Sequence, residues 1–245
     1  MIVERVTCRP DMVRPGMWPW DVPAVTQLAA DGLDLAPVTF LVGENGSGKS
    51  TILEAIAEAY GLDARGGRAG RKYGNLRAKT ALGEALRLGY TTIGSKMATG
   101  PRIKKRGYFL RAETAFGLAE AVTGLPGYWQ DNLDAMSHGE GFVTILDAMF
   151  HHEPGLYLMD EPEAALSFTA CLRLVGLVAG LVAAGGQVVC ATHSPILTAL
   201  PGARILQLDG DGMTPVEWSA LDLVDNWRRF LARPDFYLAP LLEED

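Results

Sequence analysis

The stretch 38–51, VTFLVGENGSGKST, constrains this chain more than any other. Gly43, Glu44, Asn45, Gly46, Ser47, Gly48, Lys49 and Ser50 satisfy every fixed position of the pattern G-x-x-x-x-G-K-[ST]. The apolar run 38–42 before it reads as a strand, and 51–60 after it reads as a helix. In that setting, backbone N–H groups of the loop converge on phosphate oxygens and the helix turns its positive end toward them. Lys49 reaches the β- and γ-phosphates as a point charge, and the Ser50 hydroxyl suits Mg²⁺. Thr51 is a second, weaker hydroxyl. A bound nucleotide is the expectation.

Downstream, two more polar clusters follow apolar strands. Residues 156–160, LYLMD, read as a buried strand ending at Asp160 and Glu161, and residues 187–191, QVVCA, as another leading to His193. Strand-then-helix units with continuous apolar strands imply a parallel α/β sheet with helices on both faces. Ligands of such sheets sit at the carboxyl ends of the strands. The glycine loop, the acidic pair and His193 are therefore expected on one edge. There Asp160 can hold Mg²⁺ opposite Ser50, and Glu161 can polarise or deprotonate a water.

These segments together carry a resemblance. GENGSGKS, SHGE, LYLMDEPEAAL and ATHSP, in that order, resemble the ABC-type ATPases, in the soluble stand-alone group related to SMC and RecF-like proteins. The resemblance implies ATP and Mg²⁺ as ligands, hydrolysis of ATP to ADP and phosphate, and a P-loop fold of mostly parallel strands with an antiparallel β edge. It makes Glu161 the catalytic glutamate, His193 the switch histidine, Lys49 the phosphate lysine and residues 163–167 the D-loop. Ser137 and Gly139 would meet the γ-phosphate of a second subunit, which implies a head-to-tail homodimer on ATP binding. Ser137 with Glu140 also fits a helix capping box. The signature departs from the usual form, reading Met136-Ser137-His138-Gly139-Glu140. In place of the Q-loop glutamine stands YFLRAETAF, leaving Arg111 or Glu113. The runs YFLRAET and NWRRFLARPDFYL further resemble a group of bacterial ATPases of about this length.

The 245 residues are expected to form one such domain with a basic, Gly-rich insert at about 61–106. Between positions 65 and 111 lie thirteen Lys or Arg and one acid, Glu84, against nine basic and twenty-eight acidic residues elsewhere. Such segregation speaks of partners rather than fold, and nucleic acid is one candidate. Within the insert, 77–88 reads as a short helix and the stretch after it as loose. Trp18 and Trp20, in a Pro-rich stretch before the loop, either stack on a base or pack that stretch onto the fold. The apolar run 174–184 is too short to cross a bilayer, which takes about 20 residues. Cys8, Cys171 and Cys190 lack metal or redox spacing, in keeping with a reducing cytoplasm. The leading expectation is an ATP-driven switch on nucleic acid or a protein partner. The alternative is the nucleotide-binding subunit of a membrane transporter; a slow nucleotide-binding module and a P-loop kinase rank below it.

Overall fold

Apolar strands that are buried on both sides send successive side chains into different cores. Here Leu41, Phe109, Leu158, Val189 and Leu206 enter one core, and their neighbours Phe40, Leu110, Met159, Cys190 and Ile205 enter another. The computed structural model describes residues 1–64, 66–68, 78–99, 106–111, 146, 150, 153–164 and 166–242. The chain opens with β1 (Val3–Cys8), α1 (Pro23–Asp31) and β2 (Leu33–Asp34), then reaches β3 (Val38–Gly43) and α2 (Lys49–Tyr60). Next come β4 (Gly67–Arg68), α3 (Ala81–Ala85), β5 (Leu86–Tyr90), α4 (Thr92–Thr99) and β6 (Gly107–Arg111). After these stand β7 (Leu156–Asp160), α5 (Phe168–Ala183), β8 (Gln187–Thr192), β9 (Arg204–Asp209), β10 (Gly212–Val216), α6 (Asp222–Ala232) and α7 (Pro234–Leu242).

Seven of the strands form one sheet in the order β10-β9-β3-β8-β7-β6-β4. The run from β9 to β6 is parallel throughout, while β10 and the two-residue β4 are antiparallel at the edges. This is the expected P-loop α/β architecture with an antiparallel edge. Because β3, β6, β7, β8 and β9 point the same way, Gly43, Arg111, Asp160, Thr192 and Asp209 all end on one side of the sheet.

A second, antiparallel sheet, β2-β1-β5, covers the opposite side of α2. Between the sheets, α2 buries Ile52, Leu53, Ile56 and Tyr60 completely. Gln187, at the start of β8, ties the two layers together. Its Oε1 accepts from the backbone N–H groups of Ile2 (2.8 Å) and Val3 (2.7 Å), and its Nε2 donates to Val3 O (2.7 Å) and Ala36 O (3.0 Å). A fully buried amide with every hydrogen-bonding atom matched contributes register as well as stability.

The region of the insert differs from its sequence reading. Where a helix is expected over 77–88, the helix is only α3, and Leu86 turns into β5 to pair with β1. Thr80 caps α3 by accepting from Gly83 N–H (3.0 Å), and Glu58 of α2 accepts from both Thr80 N–H (2.9 Å) and Thr80 Oγ1 (2.7 Å). The free edge of β1 then captures residues 86–90, an advantage that a local helical period does not register. The stretch read as loose contains α4, capped by Thr91 Oγ1, which accepts from Gly94 N–H (3.0 Å). After the segment 163–167, α5 begins at Phe168 with Ser167 as its N-cap. The Pro-rich stretch before the loop packs by Trp20, buried in the core beside α1, while Trp18 is exposed.

Candidate functional site

The loop between β3 and α2 is built by backbone conformations that only glycine adopts without strain. Gly48 has φ 98°, and a Cβ there would lie 2.9 Å from Val22 Cγ1. A Cβ on Gly43 would collide with the carbonyl oxygen of Leu208, its partner on β9. Glycine at these positions lets the loop fold tightly over the end of β3. Lys49 opens α2 and is buried, its Nζ donating to Gly43 O (2.7 Å) and Glu44 O (2.9 Å). Burial pulls the Lys49 ammonium below the ordinary lysine range, opposed by Glu161, Asp160 and Glu163. Ser50 and Thr51 follow on the first turn of α2.

Two strands away, β7 delivers Asp160, which is buried. Ser50 Oγ donates to Asp160 Oδ1 at 2.9 Å, joining the residues expected to hold a metal. Burial raises the Asp160 carboxyl above its usual range, against the Ser50 hydrogen bond and the Arg111 charge. One hydroxyl and one carboxylate, both hard oxygen donors, suit Mg²⁺, which keeps much of its shell as water and phosphate oxygens. No set of three or more His, Cys, Asp or Glu side chains that could cage a metal occurs among the described residues.

The chain leaves β7 through Glu161, whose φ of 49° places a non-glycine residue in the left-handed region. Such strain costs on the order of 1–3 kcal/mol and persists where surrounding contacts impose it; here Glu161 N–H donates to Ala191 O (2.9 Å) on β8. The Glu161 carboxylate is thereby presented at the sheet edge, with Oε1 3.3 Å from His193 Nε2. That nitrogen has no hydrogen-bond partner among the described residues, and neither does the buried Ser47 Oγ of the glycine loop. Unpaired buried polar atoms facing a cleft are what a phosphate group or its attacking water would satisfy.

Sequence reasoning missed how His193 is held. Glu163, named only as the start of the D-loop, reaches back to β8: its Oε1 accepts from Thr192 Oγ1 (2.6 Å) and from His193 N–H (2.6 Å). No local period announces a contact across thirty positions. Burial raises the Glu163 carboxyl above its ordinary value, partly offset by those two hydrogen bonds. Arg111, one of two candidates for the Q-loop position, lies beside β7 and pairs with Glu54 of α2 (2.6 Å). Glu113, Ser137 and Gly139 lie outside the described residues.

A cleft of about 740 Å³ runs from Gly43–Ser47 past His193 to the β9–β10 turn and the first turn of α6. Neither Trp18 nor Trp20 lines it. The basic stretch is partly neutralised from outside, Arg106 by Glu153 (3.2 Å) and Arg111 by Glu54.

A family model described as an AAA domain matches residues 33–109. The chain is 31% identical over 198 residues to an aliphatic sulfonates import ATP-binding protein, SsuB, of Delftia acidovorans, covering 78% of this chain and 76% of that protein. It is 33% identical over 210 residues to a cytochrome c biogenesis ATP-binding export protein, CcmA, of Rhodospirillum rubrum, covering 78% of this chain and 83% of that protein. A Streptomyces coelicolor protein described as an ABC transporter ATP-binding protein is 31% identical over 198 residues, covering 75% of this chain and 33% of that protein. Among solved structures, the SMC head domain from Thermotoga maritima overlays 76% of this chain and 93% of its own length, with a TM-score of 0.47 at 17% identity. That overlay is loose, and the strand order described above defines the fold without it. With two relatives above 30% identity matched over most of their length, and a complete phosphate loop set against Asp160, Glu161 and His193, the chain belongs to the ABC-type P-loop ATPases.

Proposed function

We infer that this chain binds Mg²⁺-ATP on the β3–α2 loop and hydrolyses it to ADP and phosphate with Glu161 as general base. The carrying observation is the convergence, on one sheet edge, of Lys49 in the glycine loop, Ser50 bonded to Asp160, and Glu161 beside His193. Hydrolysis asks for a water aimed at the γ-phosphorus and a carboxylate that takes its proton as the new P–O bond forms. The left-handed backbone at Glu161, which turns its carboxylate toward His193, supports that role. As the bond from the γ-phosphorus to the bridging oxygen breaks, its electrons pass to the β-phosphate of ADP. His193 Nε2 is held beside Glu161, where it donates to a γ-phosphate oxygen. Glu163 is a positioning residue that fixes the backbone of His193 through β8. Lys49 exchanges its loop carbonyls for phosphate oxygens. Mg²⁺, held by Ser50 and Asp160, would neutralise charge on the β- and γ-phosphates when bound.

The same reading extends to assembly. Two copies close head to tail on ATP, with Ser137 and Gly139 of each as donors to the other's γ-phosphate, and open after hydrolysis. The cycle acts as a switch on a partner in the cytoplasm. Positive charge between 65 and 111 favours nucleic acid as that partner; the import and export ATP-binding proteins among the relatives favour a separate membrane protein. No described helix is long and apolar enough to cross a membrane.

Turnover of ATP by the purified chain, beside a Lys49→Ala control and with or without DNA at two salt concentrations, tests both levels. Turnover that depends on Lys49 supports hydrolysis. Stimulation by DNA that fades at higher salt supports the nucleic-acid switch. Turnover indifferent to DNA, together with co-purification of a membrane protein, supports the transporter reading. Equal turnover by Lys49→Ala would refute the site.

A further inference from the structure

The cleft beside the glycine loop is lined differently at its two ends. At the loop end stand the glycine-loop residues from Gly43 to Ser47, with His193 beside them. At the far end stand Gln207, Asp209, Asp222 and Asn226, supplied by β9 and the first turns of α6. No Lys or Arg lines any part of the cleft among the described residues. The far end is fixed by two reciprocal hydrogen bonds: Gln207 Nε2 donates to Asp222 Oδ2 (2.7 Å), and Asp222 N–H donates to Gln207 Oε1 (3.0 Å). The other carboxylate oxygen of Asp222 accepts nothing from the described residues. Asn226 follows one turn later on α6.

We propose that this far end holds the nucleoside of the bound nucleotide, with the Asp222 carboxylate, fixed by Gln207, accepting from ribose hydroxyl or base amino groups. The proposal rests on the nucleotide-binding reading above and adds a specificity-determining residue to it. Topology sets the direction. Asp160, Glu161 and His193 stand on the β8–β7 flank of β3, so the γ-phosphate lies on that flank and the remainder of the molecule extends toward the opposite flank, β9. Gly43 pairs directly with Leu208, so the acceptor end begins one strand from the loop. Carboxylates there repel a phosphate chain and select a neutral group rich in O–H and N–H donors. A nucleoside is that group. The tryptophans offer no competing platform, since neither reaches the cleft.

Calorimetric titration of the full chain with ATP and with inorganic tripolyphosphate, both with Mg²⁺, separates the two ends. The unaltered chain is expected to bind ATP more tightly than tripolyphosphate. Asp222→Ala should weaken ATP about ten-fold, as losing a hydrogen bond to a charged group does, while leaving tripolyphosphate unchanged. Asp222→Asn, which keeps the backbone bond to Gln207 but replaces one carboxylate oxygen by a donating NH2, should also weaken ATP while leaving tripolyphosphate unchanged. An unchanged preference for ATP in both variants would overturn the proposal while leaving the phosphate loop intact. Failure of the unaltered chain to bind either ligand would overturn the nucleotide-binding reading itself, and this inference with it.

Discussion

Glu161 and Glu163 lie two positions apart on one turn, yet their surroundings assign them different work. Glu161 is half exposed at the mouth of the site, its carboxylate 3.3 Å from His193. Glu161→Gln keeps shape and hydrogen bonding but removes the proton acceptor, so ATP turnover should fall roughly 10²–10⁴-fold with ATP affinity retained. A loss of binding equal to the loss of turnover would show that Glu161 acts in the ground state. Glu163 is folded back against β8, where burial raises its carboxyl above the ordinary value of 4.5. A raised carboxyl value means that ionisation costs stability. The penalty is absent below 4.5, where folded and unfolded chains are both protonated, and complete once pH exceeds the folded value. Glu163→Gln removes this titration and retains an acceptor for Thr192 and His193. The urea midpoint of the variant, relative to the unaltered chain, should therefore be higher at neutral pH, the gap narrowing as pH falls toward 4.5. A gap independent of pH would contradict that account. Asp160 and Glu54, raised for the same reason, are common to both chains and cancel in the comparison.

Among the elements, β8 carries the most varied load. It pairs with β3 and β7, presents Thr192 to Glu163, and begins with the glutamine that bonds β1 and the approach to β3. Gln187→Leu would leave two N–H groups and two carbonyls without their partner in a buried seam. Each stranded group costs about 1–3 kcal/mol, so a total near or above 3 kcal/mol is expected, read as a lowered midpoint in chemical denaturation. Glu161 would keep its own hydrogen bond to Ala191, so turnover in the folded fraction should survive. A denaturation midpoint like that of the unaltered chain would mean that the small sheet is held by its apolar contacts with α2 alone. At the carboxyl-terminal end, α7 buries none of its residues, and Phe236, Leu241 and Leu242 are exposed. That helix contributes little to the core.

At the scale of the whole molecule, one copy brings the glycine loop, the bonded Ser50–Asp160 pair and the Glu161–His193 pair to a single sheet edge. Closure of a second copy over that edge is the proposed step that completes it. Glu161→Gln should accumulate the closed form, so light scattering with Mg²⁺-ATP should report twice the mass of the nucleotide-free chain. A mass that stays monomeric would remove Ser137 and Gly139 from the trans role. Net charge is −7 despite the basic stretch, and two of its arginines already pair with outside acids. Long-range attraction of a polyanion is therefore weaker than a count of Lys and Arg between 65 and 111 suggests.

The amino-acid sequence alone determined the sheet and most of the candidate site, because phosphate binding, metal ligation and water activation each demand particular residue types at the ends of apolar strands. GENGSGKS, LYLMDE and ATHS carry that information locally, and β3, β7 and β8 were legible for the same reason: strands buried on both faces read as apolar runs. Tertiary structure decided what depends on contacts distant in the chain. Residues 86–90 became a strand because the edge of β1 was free to pair with them. Trp20 became a core residue because α1 packs beside it. Glu163 came to hold the His193 backbone because β7 and β8 pair although α5 separates them in sequence, and Asp222 came to face the glycine loop across a cleft because β9 pairs with β3 although the two are distant in the chain. Local propensity is set by neighbours along the chain, whereas a hydrogen bond or a cleft is set by whichever segments the hydrophobic cores bring together.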